Sequence, residues 1–138
     1  MIANRSVPSA TVIPVLAYAD VAEASDWLCR ACGFRERLRI RNHRAELVYE
    51  DGAVIVTQLS EPGAADAAHS VHVRIADADR HRDGAAREGA RILSEPSDYP
   101  YGERQYTAEG VGGHRWTFSQ SIADVDPASW GATKIDID

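Results

Sequence analysis

The chain has 138 residues, of which 44% are hydrophobic, and its formal net charge is −6 at pH 7. This length predicts a single domain with enough apolar side chains for a sizeable core. No basic surface is large enough to follow a phosphate backbone, so we expect no nucleic-acid partner. No apolar run approaches the ~20 residues that cross a bilayer, and residues 1–10 lack a signal-peptide pattern. We therefore expect a cytoplasmic protein with no membrane partner.

The first half of the chain predicts a βαβββ unit behind a loose N-terminal arm. Its first strand covers residues 11–19, and Asp20 is the expected N-cap of a helix that ends at Gly33. The helix carries an apolar stripe at helical spacing, formed by Val21, Ala24, Trp27, Leu28 and Ala31. Alternating apolar residues and turn residues then predict three strands, at 34–40, 44–50 and 53–59.

The second half repeats this order after a linker of small residues. A strand at 70–76 leads into a helix that begins at Asp77 or Asp79 and ends at Glu88. The remaining elements are a short strand at 91–93, a loop at 94–102 and a hairpin of two strands at 103–109 and 114–119. In the tail, Asp126 followed by proline predicts one helical turn, which Trp130 would attach to the body.

The spacing of the helices shows that the two halves are copies of one unit. Asp20 and Gly33 are 13 residues apart, and Asp77 and Gly89 are 12 residues apart. A repeat on this scale indicates two supersecondary units of the same kind. The expected fold is therefore α+β, with two tandem βαβββ modules forming a curved sheet that lines a cleft. The expected boundaries are a first module at 11–59, a linker at 60–69, a second module at 70–121 and a tail at 122–138.

Two local patterns have both a chemical and a structural interpretation. Cys29 and Cys32 have the spacing of a redox motif, but they fall at the end of a helix, where the dipole favours the neutral thiol. We therefore expect Cys32 to belong to the core. A cluster of arginines is either the solvated face of a strand or a patch for an anionic ligand, and it comprises Arg35, Arg37, Arg39, Arg41 and Arg44.

Paired βαβββ modules resemble the vicinal oxygen chelate superfamily, which includes glyoxalase I, extradiol dioxygenases, and fosfomycin- and bleomycin-resistance proteins. The resemblance covers residues 11–121 and is clearest in residues 101–106 and 113–118, with the tail 125–131 also fitting. These stretches are most similar to the glyoxalase/bleomycin-resistance branch close to the PhnB-like proteins. The resemblance implies homodimers that often exchange the N-terminal strand, with clefts at the dimer interface.

Enzymes of this superfamily hold a divalent metal with His, Glu or Gln side chains. Matching strand to strand, the resemblance places the four ligand positions at Ile13, Glu46, Ser70 and Thr117. Only Glu46 is a ligand type, although a one-residue shift in register would bring His69 in place of Ser70, and His72 lies on the same strand face as Ser70. A cation in such a site needs three or four protein donors. We therefore expect no metal and no other cofactor.

The same placement predicts a cleft with an apolar wall and a few polar groups, which is typical of a pocket for an organic ligand. The candidate ligand-binding residues are Ile13, Val15, Ala17, Glu46, Ser70, His72, Tyr99, Tyr101, Arg115 and Thr117. Several have alternative roles. Glu46 could instead pair with Arg44 or Arg115, His72 could act as a base, and the tyrosines could serve packing alone. We expect His114, which follows a hairpin turn, to be structural.

These features favour a non-enzymatic binding protein of the bleomycin-resistance type. The resemblance implies that it sequesters a planar or aromatic natural-product antibiotic without making or breaking a bond. An alternative is a metal-dependent lyase, isomerase or dioxygenase of the glyoxalase type with an atypical ligand set. A third hypothesis is a small-molecule-sensing or scaffold subunit whose cleft no longer works.

Overall fold

A computed structural model describes residues 2–59 and 69–133. The linker predicted at 60–69 falls almost entirely outside this range. The first module contains β1 (Val15–Tyr18), α1 (Val21–Cys32), β2 (Arg35–Ile40), β3 (Arg44–Tyr49) and β4 (Gly52–Gln58). The second contains β5 (Val71–Arg74), α2 (Ala78–Arg87), β6 (Arg91–Tyr99), β7 (Glu103–Glu109) and β8 (Arg115–Ser121). Short 3-10 turns lie at Val111–Gly113 and Pro127–Trp130.

Each module forms its own four-stranded sheet with the same topology. The strand order is β1-β4-β3-β2 in the first sheet and β5-β8-β7-β6 in the second. β1 pairs with β4 and β5 pairs with β8 in parallel, whereas the other pairs are antiparallel. The predicted βαβββ repeat is therefore confirmed in the described residues. Both β1 and β5 are edge strands of their sheets.

The two helices begin at the residues that the sequence predicts. The Asp20 carboxylate accepts a hydrogen bond from the Glu23 amide at 3.0 Å, and the Asp77 carboxylate accepts one from the Arg80 amide at 3.1 Å. These bonds satisfy amides that have no partner within the helix. Gly33 ends α1 in the left-handed conformation, with φ of 80°. The predicted turn in the tail also forms, and Trp130 packs against Tyr101 with ring centroids 5.3 Å apart.

One prediction is wrong in the second module. Residues 94–102 were expected to be a loop, but β6 continues through them as far as Tyr99. Pro96 lacks an amide proton and would disrupt the interior of a sheet. β6, however, is the outer strand, and its register with β7 shifts between Ser94 and Ser97. The proline is therefore accommodated at an irregularity on a free edge.

The core lies between the helices and the helix-facing sides of both sheets, and it joins the two modules. Phe34 of the first module packs against Trp116 of the second, with ring centroids 5.7 Å apart. Trp27 on α1 donates a hydrogen bond from Nε1 to the Glu88 carbonyl at 2.8 Å. Gly112 has φ of +77°, and a Cβ atom at this position would lie 2.6 Å from the Tyr18 ring. Glycine therefore allows the second module to approach β1 closely.

Candidate functional site

The side of each sheet that faces away from α1 and α2 is called the cleft face here. Strand register identifies its members, because side chains alternate between the two sides of a strand. In the first sheet, Glu46 pairs with Ile55, and Ile55 pairs with Val15. In the second sheet, Thr107 pairs with Thr117, and Thr117 pairs with His72. Glu46 and Thr107 therefore occupy equivalent positions, as do Ile55 and Thr117.

Glu46 is the one carboxylate buried in the first sheet's cleft face, with 2% of its surface exposed. Its Oε1 atom lies 2.5 Å from Nη1 of Arg37, which also donates from Nη2 to the Arg5 carbonyl at 2.8 Å. Glu46 thus has a salt-bridge partner, but the partner is neither Arg44 nor Arg115. A register shift between Glu36 and Leu38 makes Arg37 an extra residue on β2 and brings it beside Glu46.

Two arginines of the cluster, both on β2, pair with nearby carboxylates. Arg39 pairs with Glu36 and, at 3.0 Å, with Asp26 on α1. Arg37 is held by Glu46. These contacts favour the interpretation of the cluster as the solvated face of a strand, because two of its guanidinium groups are already used within the fold.

The second sheet's cleft face is polar. The Glu103 carboxylate accepts hydrogen bonds from Ser119 Oγ at 2.7 Å and from Ser121 Oγ at 2.5 Å. The hydrogen bond from Ser121 is the main cause of a lowered Glu103 pKa, with Ser119 and the nearby Arg74 and His72 contributing. Glu103 therefore stays ionised at neutral pH and gives this face a fixed negative charge between a guanidinium group and an imidazole.

The cleft does not offer the donor set that a catalytic divalent metal requires. The strand pairs next to the groove between the modules present Val15 with Ile55 and His72 with Thr117. Only His72 among these four carries a ligand atom of the usual kind. Within residues 2–59 and 69–133, no three His, Cys, Asp or Glu side chains lie close enough to share an ion. The residues present therefore do not fit the metal that the superfamily's enzymes hold.

A groove separates the free edge of β1 from the free edge of β5. One cavity of about 490 Å³ lies along it and is lined by residues 14–16 and 69–72. A second cavity of about 410 Å³ continues past Pro14 to the β3–β4 turn and is lined by Phe34, Tyr49 and the whole of β5. Both volumes are in the range of small-molecule sites, ~300–1,000 Å³. The groove is therefore a concave site of a size that suits a small molecule.

The structure brings some of the predicted site residues together in this groove. Val15, 59% exposed, and Ser70 line the larger cavity, and His72 lines both. Thr117 lies beside His72, with its hydroxyl 3.3 Å from that of Thr107. Ile13 is half-buried just before β1.

Other predicted residues lie elsewhere. Tyr99 and Tyr101 stack with ring centroids 5.5 Å apart at the end of β6, the edge of the second sheet opposite β5, and Tyr101 donates to Gln105 at 3.2 Å. Arg115 is exposed opposite Glu109. The Ala17 side chain is half-buried, and its carbonyl accepts a hydrogen bond from His114 Nε2 at 2.7 Å. His114 is thus buried and contacts β1, which fits the structural role expected from the sequence.

Phe34 and Tyr49 are cavity residues that the sequence did not indicate. Each was expected only as part of a strand, and their rings lie 5.7 Å apart. They reach the cavity because the second module leaves the β3–β4 end of the first sheet uncovered beside β5. No short-range pattern encodes that placement, since it depends on how the two modules pack.

The cysteines do not form a redox pair in this structure. Burial raises the pKa of Cys32 to about 12, and burial also raises the pKa of Cys29. Both thiols are free. His81 on α2 is half-buried against β7, where its Nδ1 lies 2.5 Å from the Tyr106 hydroxyl, and burial lowers the pKa of His81.

Repeated βαβββ modules with a groove between them define a class of protein fold. Comparisons with known proteins identify the family that has this fold. The family model "Glyoxalase/Bleomycin resistance protein/Dioxygenase superfamily" matches residues 11–118. The crystal structure of TioX from Micromonospora sp. ML1 is similar with a TM-score of 0.69 and 33% identity, and the match covers 80% of this chain and 98% of TioX. No curated protein matches the chain.

More distant structures share the fold alone. A glyoxalase/bleomycin resistance protein/dioxygenase family enzyme from Burkholderia phytofirmans PsJN has a TM-score of 0.70 at 12% identity, covering 83% of this chain and all of that chain. A glyoxalase-related enzyme from Fulvimarina pelagi has a TM-score of 0.69 at 9% identity, covering 81% and 88% of the two chains.

The chain belongs to the glyoxalase/bleomycin resistance protein/dioxygenase superfamily. Within the described residues, neither helix has the length and apolar character to cross a membrane.

Proposed function

We propose that this protein binds a planar or aromatic organic molecule, of the natural-product antibiotic class, and sequesters it without a metal and without chemical change. The observation that carries the proposal is the pairing of Val15 with Ile55 and of His72 with Thr117 at the groove. These strand pairs offer contact surface and hydrogen bonds but no chelating set. Of the binding residues named from the sequence, Val15, Ser70 and His72 line the groove, and they form the centre of the proposed binding site.

The cavities support an aromatic ligand. Pro14, Phe34, Tyr49 and Val73 give the smaller cavity an apolar wall, and His72 and Arg74 add polar groups at one side. Aromatic rings gain ~0.5–1.5 kcal/mol from offset or edge contacts beyond the effect of burial. A flat molecule could therefore lie against Phe34 and Tyr49 while its polar substituents reach β5.

The exposed surface supports a homodimer in which the cleft is completed by a second copy. β2 is the outer strand of the first sheet, and Leu38 and Ile40 on it are 37% and 49% exposed. An uncovered edge strand with apolar side chains is prone to pair with another chain. Sedimentation at increasing protein concentration tests this, and a monomer at every concentration would contradict it.

Equilibrium dialysis in EDTA, with metal-free bleomycin and a panel of planar antibiotics, tests the function. We expect saturable binding of at least one compound and its recovery unchanged by mass spectrometry. Val15→Glu should weaken that binding at least tenfold, because it places a charge on the cavity wall. Ile122→Glu, at an exposed apolar residue that lines neither cavity, is the matched control. Turnover, or binding that requires added Zn, Ni, Mn or Fe, would favour a metal-dependent enzyme instead.

A further inference from the structure

The backbone of β5 has hydrogen-bonding groups that point into the groove. The Ile75 amide donates to the Ser119 carbonyl at 2.9 Å, so Val71, Val73 and Ile75 are the residues whose backbone faces β8. In a parallel ladder the residues between them face the opposite side. The amides and carbonyls of His72 and Arg74 therefore face the free edge of the sheet, which lines both cavities.

β1, on the opposite wall of the groove, also has main-chain groups that point into the groove. The Ile55 amide donates to the Pro14 carbonyl at 2.9 Å, so the backbone of Val15 and Ala17 faces away from β4. His114 already uses one of these groups, since its Nε2 donates to the Ala17 carbonyl at 2.7 Å. In residues 2–59 and 69–133, no backbone hydrogen bond joins β1 to β5. Both edges thus present main-chain donors and acceptors to a common groove, and these groups have no backbone partner among the described residues.

We propose that the groove recognises a ligand with a peptide-like backbone of secondary amides, which pairs with the free edge of β5 at His72 and Arg74. The proposal rests on the proposed function and narrows the ligand class. Strand addition supplies affinity through main-chain hydrogen bonds, and side pockets supply selectivity. Alternate side groups of such a ligand would face the Phe34–Tyr49 cavity and the polar cleft face of the second sheet. A planar compound without amides would contact the Phe34–Tyr49 cavity but would form no main-chain hydrogen bonds with β5.

The test compares the blocked tripeptide acetyl-Val-Tyr-Val-amide with the same peptide methylated at the tyrosine and C-terminal valine nitrogens. Methylation removes donors and leaves most of the apolar surface. With the ¹⁵N-labelled full chain, we expect the first peptide to shift the amide resonances of His72 and Arg74 saturably. The methylated peptide should bind at least tenfold more weakly. Equal binding of the two peptides, or shifts confined to residues outside the groove, would overturn the proposal.

Substitution of His72 or Arg74 by proline removes an amide that faces the groove and keeps the hydrogen bonds between β5 and β8. An edge strand tolerates proline where the amide faces away from the sheet. His72→Pro should bind the unmethylated peptide at least tenfold more weakly than His72→Ala does, because both lose the imidazole but only one loses the amide. Arg74→Pro, compared with Arg74→Ala, provides the same test if His72→Pro fails to fold. Equal binding by a folded proline variant and its alanine counterpart would contradict pairing at the edge.

Two further arms separate this proposal from its alternatives. If 1-aminoanthracene, which has no amide, binds in the groove and the tripeptide does not, the peptide-like ligand is wrong while aromatic sequestration stands. If neither binds, both proposals fall. If the His72 and Arg74 amides become protected from hydrogen exchange as the concentration of protein alone rises, a second copy fills the groove and the ligand proposal is wrong.

Discussion

The two modules share a chain path but present opposite chemistry on their cleft faces. The first sheet shows apolar side chains around a single buried ion pair between Glu46 and Arg37. The second shows hydroxyl, amide and charged groups organised around Glu103. On the helix side the two sheets are alike, with large apolar residues in both. The comparison shows that the core lies on one side of each sheet, which leaves the other side free to differ without loss of the fold.

The two helices also differ, because α1 buries many more side chains than α2 does. α1 buries a continuous stripe that includes Val21, Trp27 and Leu28, whereas α2 buries only Ala78 and Ala85 among its residues. The second module compensates with large rings on β8, where Trp116 and Phe118 are almost fully buried. The stability of the second module thus depends more on its sheet than on its helix.

The largest effect is expected at Trp116, because this side chain joins the two modules through its contact with Phe34. Trp116→Ala should lower the free energy of unfolding by about 3–5 kcal/mol, the usual cost of deleting a buried aromatic ring. Urea titration measures this. Trp130→Ala, at a ring that is 44% exposed, is the control and should cost under ~1 kcal/mol. Similar losses in the two variants would contradict a core shared by the modules.

The next largest effect should distinguish the two cleft faces. Arg37→Ala leaves the Glu46 carboxylate buried without its partner and should cost about 3 kcal/mol. Glu103→Gln keeps an acceptor for the serine hydroxyls at a half-buried position and should cost under ~1 kcal/mol, because it leaves no buried charge without a partner. Thermal unfolding of both variants gives the comparison.

A double variant tests why Arg37→Ala should lose stability. Arg37→Met with Glu46→Leu removes both charges and should recover most of the stability, because the desolvation penalty disappears with the carboxylate. If Arg37→Ala alone is harmless, the buried ion pair is not what stabilises the first sheet's cleft face.

A smaller effect should appear in the pH dependence of the free energy of unfolding, and it should come from two histidines of the second module. Burial lowers the pKa of His81 and of His114, so the folded protein binds fewer protons than the unfolded chain. The free energy of unfolding should therefore be highest above the ordinary histidine pKa of ~6.5 and fall as the pH drops through the lowered values. His81→Phe should reduce this slope between pH 7.5 and 5. His43→Phe, at an exposed residue of the first module, should leave it unchanged.

The smallest effect concerns the cysteines of α1. Their raised pKa values keep both thiols neutral at pH 7, so N-ethylmaleimide should modify Cys29 slowly and Cys32 only on unfolding. Mass spectrometry over time measures both rates. Labelling of Cys32 in the folded protein as fast as free glutathione would restore the redox interpretation.

Local signals in the sequence predicted much of the fold. Asp20 and Asp77 marked the helix starts, and helical spacing predicted the apolar stripe of Val21, Trp27 and Leu28 that α1 buries. The extension of β6 through Pro96 could not be predicted in this way, because tolerance of the proline depends on β6 being the outer strand. That fact is a property of the assembled sheet.

The site was harder to predict than the fold. Arg37 pairs with Glu46 only because β2 carries an extra residue at that point, which alternation does not reveal. Phe34 and Tyr49 line a cavity only because of how the modules pack. Conversely, Val15, Ser70 and His72 were predicted to share the cleft, and they meet in the groove.

Metal analysis by mass spectrometry, carried out together with calorimetric titration of the full chain, tests the central claim most directly. After dialysis against Zn, Ni, Mn and Fe in turn, we expect no stoichiometric metal to be retained, and we expect EDTA to leave ligand affinity unchanged. Retention of one ion per chain, lost in a His72→Ala variant, would show that the groove coordinates a cation and would contradict sequestration without a metal.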